Sequence, residues 1–329
     1  MLRLTQLEIG YAGHALVKLP DTTVVPGEFI CLLGRNGQGK STLLRTLAGF
    51  IPACAGQVSL HGRPLGAMSG AMRARHVGVV LTERPQLPGM RVRELVELGR
   101  QPHTGWSGVL GSEDRAIAAQ ALELVGGMHL APRDVDSLSD GERQRAMVAR
   151  ALAQQPDVLL LDEITSFLDL PSRVTIIDTL RRVAKQGRVA VILSSHDLEL
   201  SLQTADRLWL LPGEGRFVDG APEDVVLSGA IGRAFDQQNL AFSQDTGRFE
   251  RPPKGSCSVY VHGDDRGTAW LSRALLRCGY ATVSEPEQAL HSLSRTSDGW
   301  TLAEGGHATN IAGVLELLTE ARRQSGEVS

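Results

Sequence analysis

A glycine-rich stretch between an apolar run and an amphipathic helix pattern limits what this chain can fold into more than any other feature. Residues 34–41 read GRNGQGKS, which matches the spacing G-x-x-x-x-G-K-[ST]. They follow the apolar run 29–33 and precede a helix pattern with Leu43, Leu44 and Leu47 on one face. A strand that turns through glycines into a helix directs backbone N–H groups toward one point. The stretch therefore predicts an α/β fold with an anion held at the helix start.

The residue types of this phosphate loop suit a nucleoside triphosphate. Lys40 is expected to contact the β- and γ-phosphates, and the hydroxyl of Ser41 is expected to bind Mg²⁺. A plain glycine-rich turn with an exposed lysine is the alternative, which the complete spacing and both flanks disfavour. The predicted nucleotide-binding residues of the loop are Gly34, Arg35, Asn36, Gly37, Gln38, Gly39, Lys40, Ser41 and Thr42.

The first two thirds of the chain alternates strand patterns with helix patterns. Helices are predicted to begin at Ser112 and at Pro171, and a hairpin is predicted over 207–219. Short continuous apolar runs are typical of strands that are buried on both faces of a parallel sheet. Such runs occupy residues 29–33, 77–81, 158–161 and 189–193.

The length of the chain, 329 residues, is about twice that of a usual domain, so two domains are expected. After about residue 234 the sequence becomes polar and rich in turn-forming residues before strand and helix patterns resume. We therefore predict a larger α/β domain over residues 1–235, a linker over 236–254 and a small α/β domain over 255–329.

Composition and charge exclude several classes of protein. Hydrophobic residues make up 42% of the chain and charged residues 22%, which argues against a disordered protein. The net charge of -3 gives the whole chain no general attraction for nucleic acid. No apolar run approaches the ~20 residues of a membrane helix, so we expect a soluble chain that reaches a membrane through a partner. The four cysteines form no CxxC pair and are expected to be thiols in a reducing compartment.

Two acidic residues and a histidine directly follow predicted strands. Parallel strands of an open α/β sheet end at the edge where ligands bind. Asp162 is therefore predicted to bind Mg²⁺, Glu163 to orient or deprotonate the attacking water, and His196 to donate to a γ-phosphate oxygen. Lys40, Glu163 and His196 form the predicted catalytic set. Acidic residues that merely follow a strand in a solvated turn are the alternative.

Residues 138–144, LSDGERQ, precede another helix pattern. Ser139 followed three residues later by Glu142 is a capping box, which explains both residues locally. Gly141 is left unexplained, because glycine inside a helix costs about 1 kcal/mol relative to alanine. Glycine suits a place where a ligand approaches the backbone closely, so this helix start is a candidate second anion site.

Together these motifs resemble the nucleotide-binding subunit of ATP-binding cassette (ABC) transporters over about residues 1–235. Residues 138–144 resemble the signature sequence of that family, 166–169 its D-loop, and Tyr11 the aromatic residue that stacks on adenine. The resemblance implies a P-loop NTPase cassette with a mostly parallel sheet, a helical subdomain and an antiparallel β part. It also implies ATPase activity with ATP and Mg²⁺ bound.

The resemblance further implies an assembly. Ser139, Gly141 and Glu142 of one copy are expected to close over the ATP held by residues 34–42 of the other, in a head-to-tail homodimer. The implied partners are integral-membrane permease subunits and, within the whole complex, a periplasmic or extracellular substrate-binding protein, with no nucleic acid. The chain is then expected on the cytoplasmic side of the inner cell membrane, attached peripherally through the permease.

Two departures from the family pattern affect predicted site residues. The glutamine usual in the Q-loop is replaced by Thr82, which is predicted to join the metal site by holding a Mg²⁺-bound water, with Gln86 as the alternative. The signature reads Ser-Asp-Gly-Glu where the family more often has Ser-Gly-Gly-Gln. We expect the added negative charge to turn outward or to pair with Arg143 or Arg145.

Residues 91–106 resemble the segment after the Q-loop in importers of ferric siderophores, haem and cobalamin, which implies a cargo of that class. The C-terminal unit is interpreted either as a regulatory or dimer-supporting domain or as an inert appendage. Two rival functions are weighed. A soluble cassette ATPase of chromosomes or ribosomes would show a second cassette or a long coiled coil, and a non-hydrolysing cassette would tend to lack Glu163 or His196.

Overall fold

The computed structural model describes residues 1–11, 13–81, 87–105, 108–166, 168–187, 189–237, 240–244, 246–250 and 257–324. The chain divides into two compact units. The larger comprises Met1–Asp236 with Phe242–Arg248, and the smaller comprises Gln237–Ala241 with Phe249–Ser329. The segment predicted as a linker contains two short strands that pair with each other, Ala241–Ser243 and Arg248–Glu250.

The elements up to residue 250 comprise both strands and helices. The strands are β1 (Leu2–Tyr11), β2 (His14–Lys18), β3 (Thr22–Val24), β4 (Phe29–Gly34), β5 (Ala55–Leu60), β6 (Arg63–Pro64), β7 (Val77–Val80), β8 (Val158–Asp162), β9 (Ala190–Ser194), β10 (Arg207–Gly213), β11 (Arg216–Gly220), β12 (Ala241–Ser243) and β13 (Arg248–Glu250). The helices are α1 (Lys40–Leu47), α2 (Gly70–His76), α3 (Val92–Glu97), α4 (Ser112–Leu124), α5 (Asp140–Ala153), α6 (Leu170–Gly187), α7 (Leu198–Thr204), α8 (Pro222–Leu227) and α9 (Ala230–Phe235).

A six-stranded sheet in the order β11-β10-β4-β9-β8-β7 forms the centre of the larger unit. Five of its strands are parallel, and β11 pairs antiparallel with β10 at the edge. Every residue of β4, β8 and β9 is buried, which is why these strands read as continuous apolar runs. The mostly parallel sheet predicted from the sequence is confirmed.

A second, antiparallel sheet joins β2, β1, β5 and β6, with β3 also paired to β1. Helix α1 contributes Leu43, Leu44 and Leu47 to a buried cluster that includes leucines of β1 and apolar residues of β4. A fully buried leucine contributes about 1.5–3 kcal/mol to stability, so this cluster holds the start of α1 firmly against both sheets.

Helices α3, α4 and α5 pack on one another and form the predicted helical subdomain. Their buried faces carry mainly small and branched residues, such as Leu95 on α3, Ala121 on α4 and Val148 on α5. Among the described residues, no helix combines the length and the apolar character needed to cross a membrane.

The smaller unit has a mixed sheet in the order β15-β14-β16-β17-β18 and a core of its own. Apolar residues of both its helices, among them Leu271, Leu275, Val314 and Leu318, pack against the sheet. Its elements are β14 (Ser258–His262), α10 (Arg266–Arg277), β15 (Ala281–Val283), β16 (His291–Arg295), β17 (Trp300–Leu302), β18 (His307–Ala308) and α11 (Ile311–Gln324). The small α/β domain is therefore present, with three strands that the sequence did not predict.

Candidate nucleotide site

The phosphate loop turns between β4 and α1. Gly37 and Gly39 have left-handed φ angles of 81° and 99°, a region that other residues rarely adopt. Gly39 is the N-cap of α1, and because it has no side chain, it cannot itself cap the N–H groups of the first helical turn. The loop therefore presents free donors at the positive end of a helix, as binding of a phosphate requires.

The side chain of Lys40 is buried at the floor of this loop. Its Nζ donates to the carbonyl oxygen of Gly34 at 2.9 Å and lies 3.8 Å from Oε1 of Glu163. Burial lowers the pKa of Lys40, while the carboxylates of Glu163 and Asp162 act in the opposite direction. The sheet thus brings together the predicted lysine and the predicted acidic pair, which lie far apart in the sequence.

The acidic pair is held in place by a serine of the neighbouring strand. Asp162 of β8 lies opposite Ser194 of β9, whose hydroxyl donates to Oδ1 of Asp162 at 2.6 Å. The hydroxyl oxygen of Ser194 in turn accepts from the backbone N–H of Glu163 at 3.0 Å. Ser194 is buried and orients both acidic residues, a role that the sequence did not assign to it.

Glu163 lies between the two other predicted catalytic groups. Its Oε1 is 2.5 Å from Nε2 of His196 and 3.8 Å from Nζ of Lys40. The backbone of Glu163 has a left-handed φ of 51°, a strained conformation for a residue with a side chain. Strain of this kind persists where the surroundings enforce it, and the N–H of this residue is bonded to Ser194.

The residues present fit a magnesium nucleotide. Ser41 and Asp162 offer the hydroxyl and carboxylate oxygens that Mg²⁺ prefers, and α1 packs against β8, so the two elements that carry them adjoin. Tyr11 is half-exposed, and its hydroxyl accepts from that of Thr42 at 3.2 Å, which places the ring beside the loop. Thr82 and Gln86 lie outside the described residues.

The start of α5 is closed by its own side chains. Ser139 and Glu142 form the predicted capping box, with the Ser139 N–H donating to Oε2 of Glu142 at 2.9 Å. The other carboxylate oxygen of Glu142 accepts from Arg133 at 2.6 Å. We expected Glu142 to pair with Arg143 or Arg145, but its partner is Arg133, in the turn before α5. The side chain of Arg143 contacts Asp136 instead.

Hydrogen bonds from Ser139 hold the pKa of Glu142 below its usual range, with a further contribution from Arg133. Gly141 lies between these residues, and the described residues leave room for a side-chain carbon at this position. A Cβ at this position would lie 3.5 Å from Leu168, an ordinary van der Waals distance. Contacts among the described residues therefore do not explain the glycine.

Comparison with known proteins decides the family. Residues 17–166 match the ABC transporter family, and residues 256–321 match the iron ABC transporter C-terminal domain. The achromobactin transport ATP-binding protein of Dickeya dadantii is 36% identical over 232 residues, 70% of this chain and 86% of that protein. The chain belongs to the ABC transporter ATP-binding proteins. It binds ATP and is an ATPase that couples ATP hydrolysis to transport.

This ABC ATPase is similar to other members along most of its length. The cobalamin import ATP-binding protein of Halobacterium salinarum is 38% identical over 293 residues, which cover 86% of this chain and 72% of that protein. A solved inward-facing ABC transporter, described as metal-chelate type, is 26% identical with a TM-score of 0.63 and covers 76% of this chain and 94% of the other. The predicted cassette fold is therefore confirmed.

Proposed function

We propose that this ABC ATPase powers an importer for an iron complex, either a siderophore or haem, or for cobalamin. The observation that carries the proposal is the presence, in one chain, of an ABC cassette and the iron ABC transporter C-terminal domain. The two relatives are named for transport of achromobactin and import of cobalamin, which supports the same class of cargo.

In the proposed reaction, Lys40 neutralises the γ-phosphate, Glu163 orients or deprotonates the attacking water, and His196 donates to a γ-phosphate oxygen. The 2.5 Å contact between Glu163 and His196 supports this division, because it fixes the carboxylate at the edge of the sheet. Bound Mg²⁺ would supply neutralisation of phosphate charge, held by Ser41 and Asp162. Thr82 or Gln86 would complete that site.

The proposed assembly is a head-to-tail homodimer. In it, Ser139, Gly141 and Glu142 of one copy cover the ATP bound by residues 34–42 of the other, where Tyr11 stacks on the adenine. The space that a Cβ would have at Gly141 supports this arrangement, since packing among the residues that the structure describes does not explain the glycine. Closing of this dimer would drive integral-membrane permease subunits that receive cargo from an external substrate-binding protein. The chain would then lie on the cytoplasmic side of the inner membrane.

The test is ATP-dependent uptake by the assembled transporter. The chain is expressed with candidate permease and substrate-binding proteins from the same genome, and the complex is placed in lipid vesicles with ATP on the ATPase side. Uptake of a ferric siderophore, haemin and cobalamin is measured, and Glu163→Gln serves as the turnover-deficient control. We expect uptake of one of the three by the natural chain alone.

Uptake of an unrelated solute would show that the proposed class of cargo is wrong and that the chain still powers transport. ATP hydrolysis that no permease accelerates would support the alternative, an ABC-type ATPase that is not coupled to transport.

A further inference from the structure

A second group of ligating side chains lies apart from the nucleotide site, on the same unit. Oδ2 of Asp157 is 2.6 Å from Nδ1 of His76 and 3.1 Å from Nε2 of His61. All three ligand atoms lie within 4.8 Å of one another. The three residues come from the turn between β5 and β6, the end of α2 and the position before β8.

The backbone holds these residues in place. The N–H of Asp157 donates to the carbonyl oxygen of His76 at 2.9 Å, and its own carbonyl accepts from Ala190 at 2.9 Å. The N–H of His61 donates to the carbonyl oxygen of Met1 at 3.2 Å. The three residues therefore lie in hydrogen-bonded strands and turns. This reduces the rearrangement of the backbone that binding of an ion would need.

The turn that carries His61 does not itself call for histidine. His61 and Gly62 have left-handed φ angles of 51° and 77°. Two-residue hairpin turns of this kind favour Asn, Asp or Gly, so a histidine is the less favourable choice for the backbone. Its side chain is nevertheless aimed at Asp157.

The carboxylate of this cluster carries the negative charge that a cation needs. Burial acts to raise the pKa of Asp157, but hydrogen bonds from His61 and His76 outweigh it and hold the pKa below its usual value. The side chains of His61, His76 and Asp157 are 49%, 37% and 39% exposed, so water can complete the coordination and an ion can enter from solvent.

We propose that His61, His76 and Asp157 form a surface site for a divalent transition-metal ion of the Zn²⁺ class. Two imidazoles and one carboxylate are ligands that Zn²⁺ binds at 2.0–2.2 Å, leaving a fourth position for water. Tetrahedral ligands at that distance are about 3.3 Å apart, so small side-chain rotations bring the present separations into range.

The metal site lies at the opposite end of β8 from the acidic pair. The five steps from Asp157 to Asp162 span roughly 17 Å of extended strand. The ion would therefore join the β5–β6 turn, α2 and β8 without entering the nucleotide site. Binding is expected to stabilise the larger unit, because an ion that binds the folded state favours it.

The experiment uses the full chain after treatment with EDTA and removal of the chelator, without nucleotide. Zn²⁺ is titrated calorimetrically, and Co²⁺ is titrated by visible absorption, which reports tetrahedral ligation directly. Three variants remove one ligand each: His61→Asn, which suits the left-handed turn, His76→Gln and Asp157→Asn. We expect one Zn²⁺ in the natural chain and binding at least about tenfold weaker in each variant, since even loss of an outer-shell partner costs about 10- to 100-fold.

His129→Asn, at an exposed histidine of the same unit, is the matched control and should bind Zn²⁺ like the natural chain. Thermal unfolding should shift upward with Zn²⁺ in the natural chain and the control and should not shift in the three variants. The proposal is wrong if the natural chain and the three variants bind Zn²⁺ with equal affinity. It is also wrong if the Co²⁺ complex of the natural chain shows no tetrahedral bands. The three residues would then be only a hydrogen-bonded His–Asp cluster. Circular dichroism and Mg-ATPase activity verify that each variant is folded.

Discussion

The first turns of helices α1 and α5 satisfy their free N–H groups in different ways. At α1 the N-cap is Gly39, which has no side chain, and the phosphate loop leaves the donors to a ligand. At α5 the N-cap Ser139 and Glu142 cap each other, and Arg133 neutralises the carboxylate. The start of α1 thus has no side-chain cap, whereas the N–H groups of Ser139 and Glu142 at the start of α5 are bonded within the chain. In the proposed head-to-tail dimer, α5 would therefore present an already capped helix start to the ATP of the partner copy.

The largest effect is expected from Glu163→Gln. This variant also tests whether the two helix starts meet around one nucleotide. Glutamine keeps the shape of the side chain but cannot accept a proton at neutral pH. Hydrolysis should fall by about 10²- to 10⁴-fold while ATP binding persists. Size-exclusion chromatography with ATP should then show accumulated dimer.

Glu123→Gln, at an exposed glutamate of α4, is the control and should hydrolyse ATP normally. An unaltered hydrolysis rate in Glu163→Gln would reject the role given to this residue. A variant that stays monomeric with ATP would contradict the joint site.

Lys40→Ala tests the helix start that lacks a side-chain cap. Loss of its ammonium should weaken ATP binding by about 10- to 100-fold, the range of a hydrogen bond to a charged group. Fluorescent-nucleotide titration measures this directly. Lys185→Ala, at an exposed lysine that contacts Asp206, should bind ATP as the natural chain does. Equal affinity in the two variants would remove Lys40 from the nucleotide site.

Ser194→Ala tests whether the acidic pair needs its serine. We expect kcat to fall about tenfold with little change in KM for ATP, because Asp162 loses a hydrogen bond worth about 1.5–3 kcal/mol while the phosphate loop is untouched. Ser194→Thr should restore part of the rate and the Mg²⁺ dependence. The control is Ser201→Ala, another buried serine, whose hydroxyl donates to the backbone of Asp197. Equal rates for the two alanine variants would show that Ser194 is only a packing residue.

Ser139→Ala separates capping from ligand binding at α5. Loss of the cap should destabilise the first turn of α5 by about 1 kcal/mol, seen as faster amide exchange over residues 140–143. Ser69→Ala removes the matching serine cap of α2 and should leave α5 unchanged. If the Ser139 variant exchanges faster yet forms the ATP dimer normally, its hydroxyl serves the helix alone.

The smallest effect concerns acid. The pKa of Glu142 is lowered in the folded chain, so its contribution to stability is complete above the unfolded value of about 4.3 and is lost as the pH falls through the folded value. The free energy of unfolding of the natural chain should exceed that of Glu142→Gln by less than about 1 kcal/mol at pH 7, and this gap should shrink near pH 3. Urea unfolding at both pH values measures it. A difference in unfolding free energy that is the same at both pH values would show that ionisation of Glu142 does not cause it. The same difference, measured in chains that also carry Arg133→Ala, should be smaller.

Local patterns predicted the parts of the site that depend on residues near each other in sequence. The phosphate loop, the capping box of Ser139 and Glu142, and the buried strands β4, β8 and β9 all lie where the sequence placed them. Each depends on a backbone preference or on apolar residues within one short segment, so the local sequence contains the necessary information.

Other parts depended on contacts that spacing does not reveal. Ser194 reaches Asp162 because β9 lies beside β8, and strand order cannot be read from the strands themselves. Arg133 was missed because its partner depends on the fold of the turn before α5. In the smaller unit, β16–β18 are short and carry several polar residues, so their apolar pattern was too weak to identify.

The sequence by itself determined that this chain has a phosphate loop, an acidic pair and a signature helix, because glycine geometry, apolar runs and capping act over a few residues. Only the tertiary structure decided that Glu163 lies between Lys40 and His196, and that two histidines surround Asp157. Those distances follow from the order of strands in the sheet, which is decided by burial of apolar surface across the whole unit rather than by any one segment.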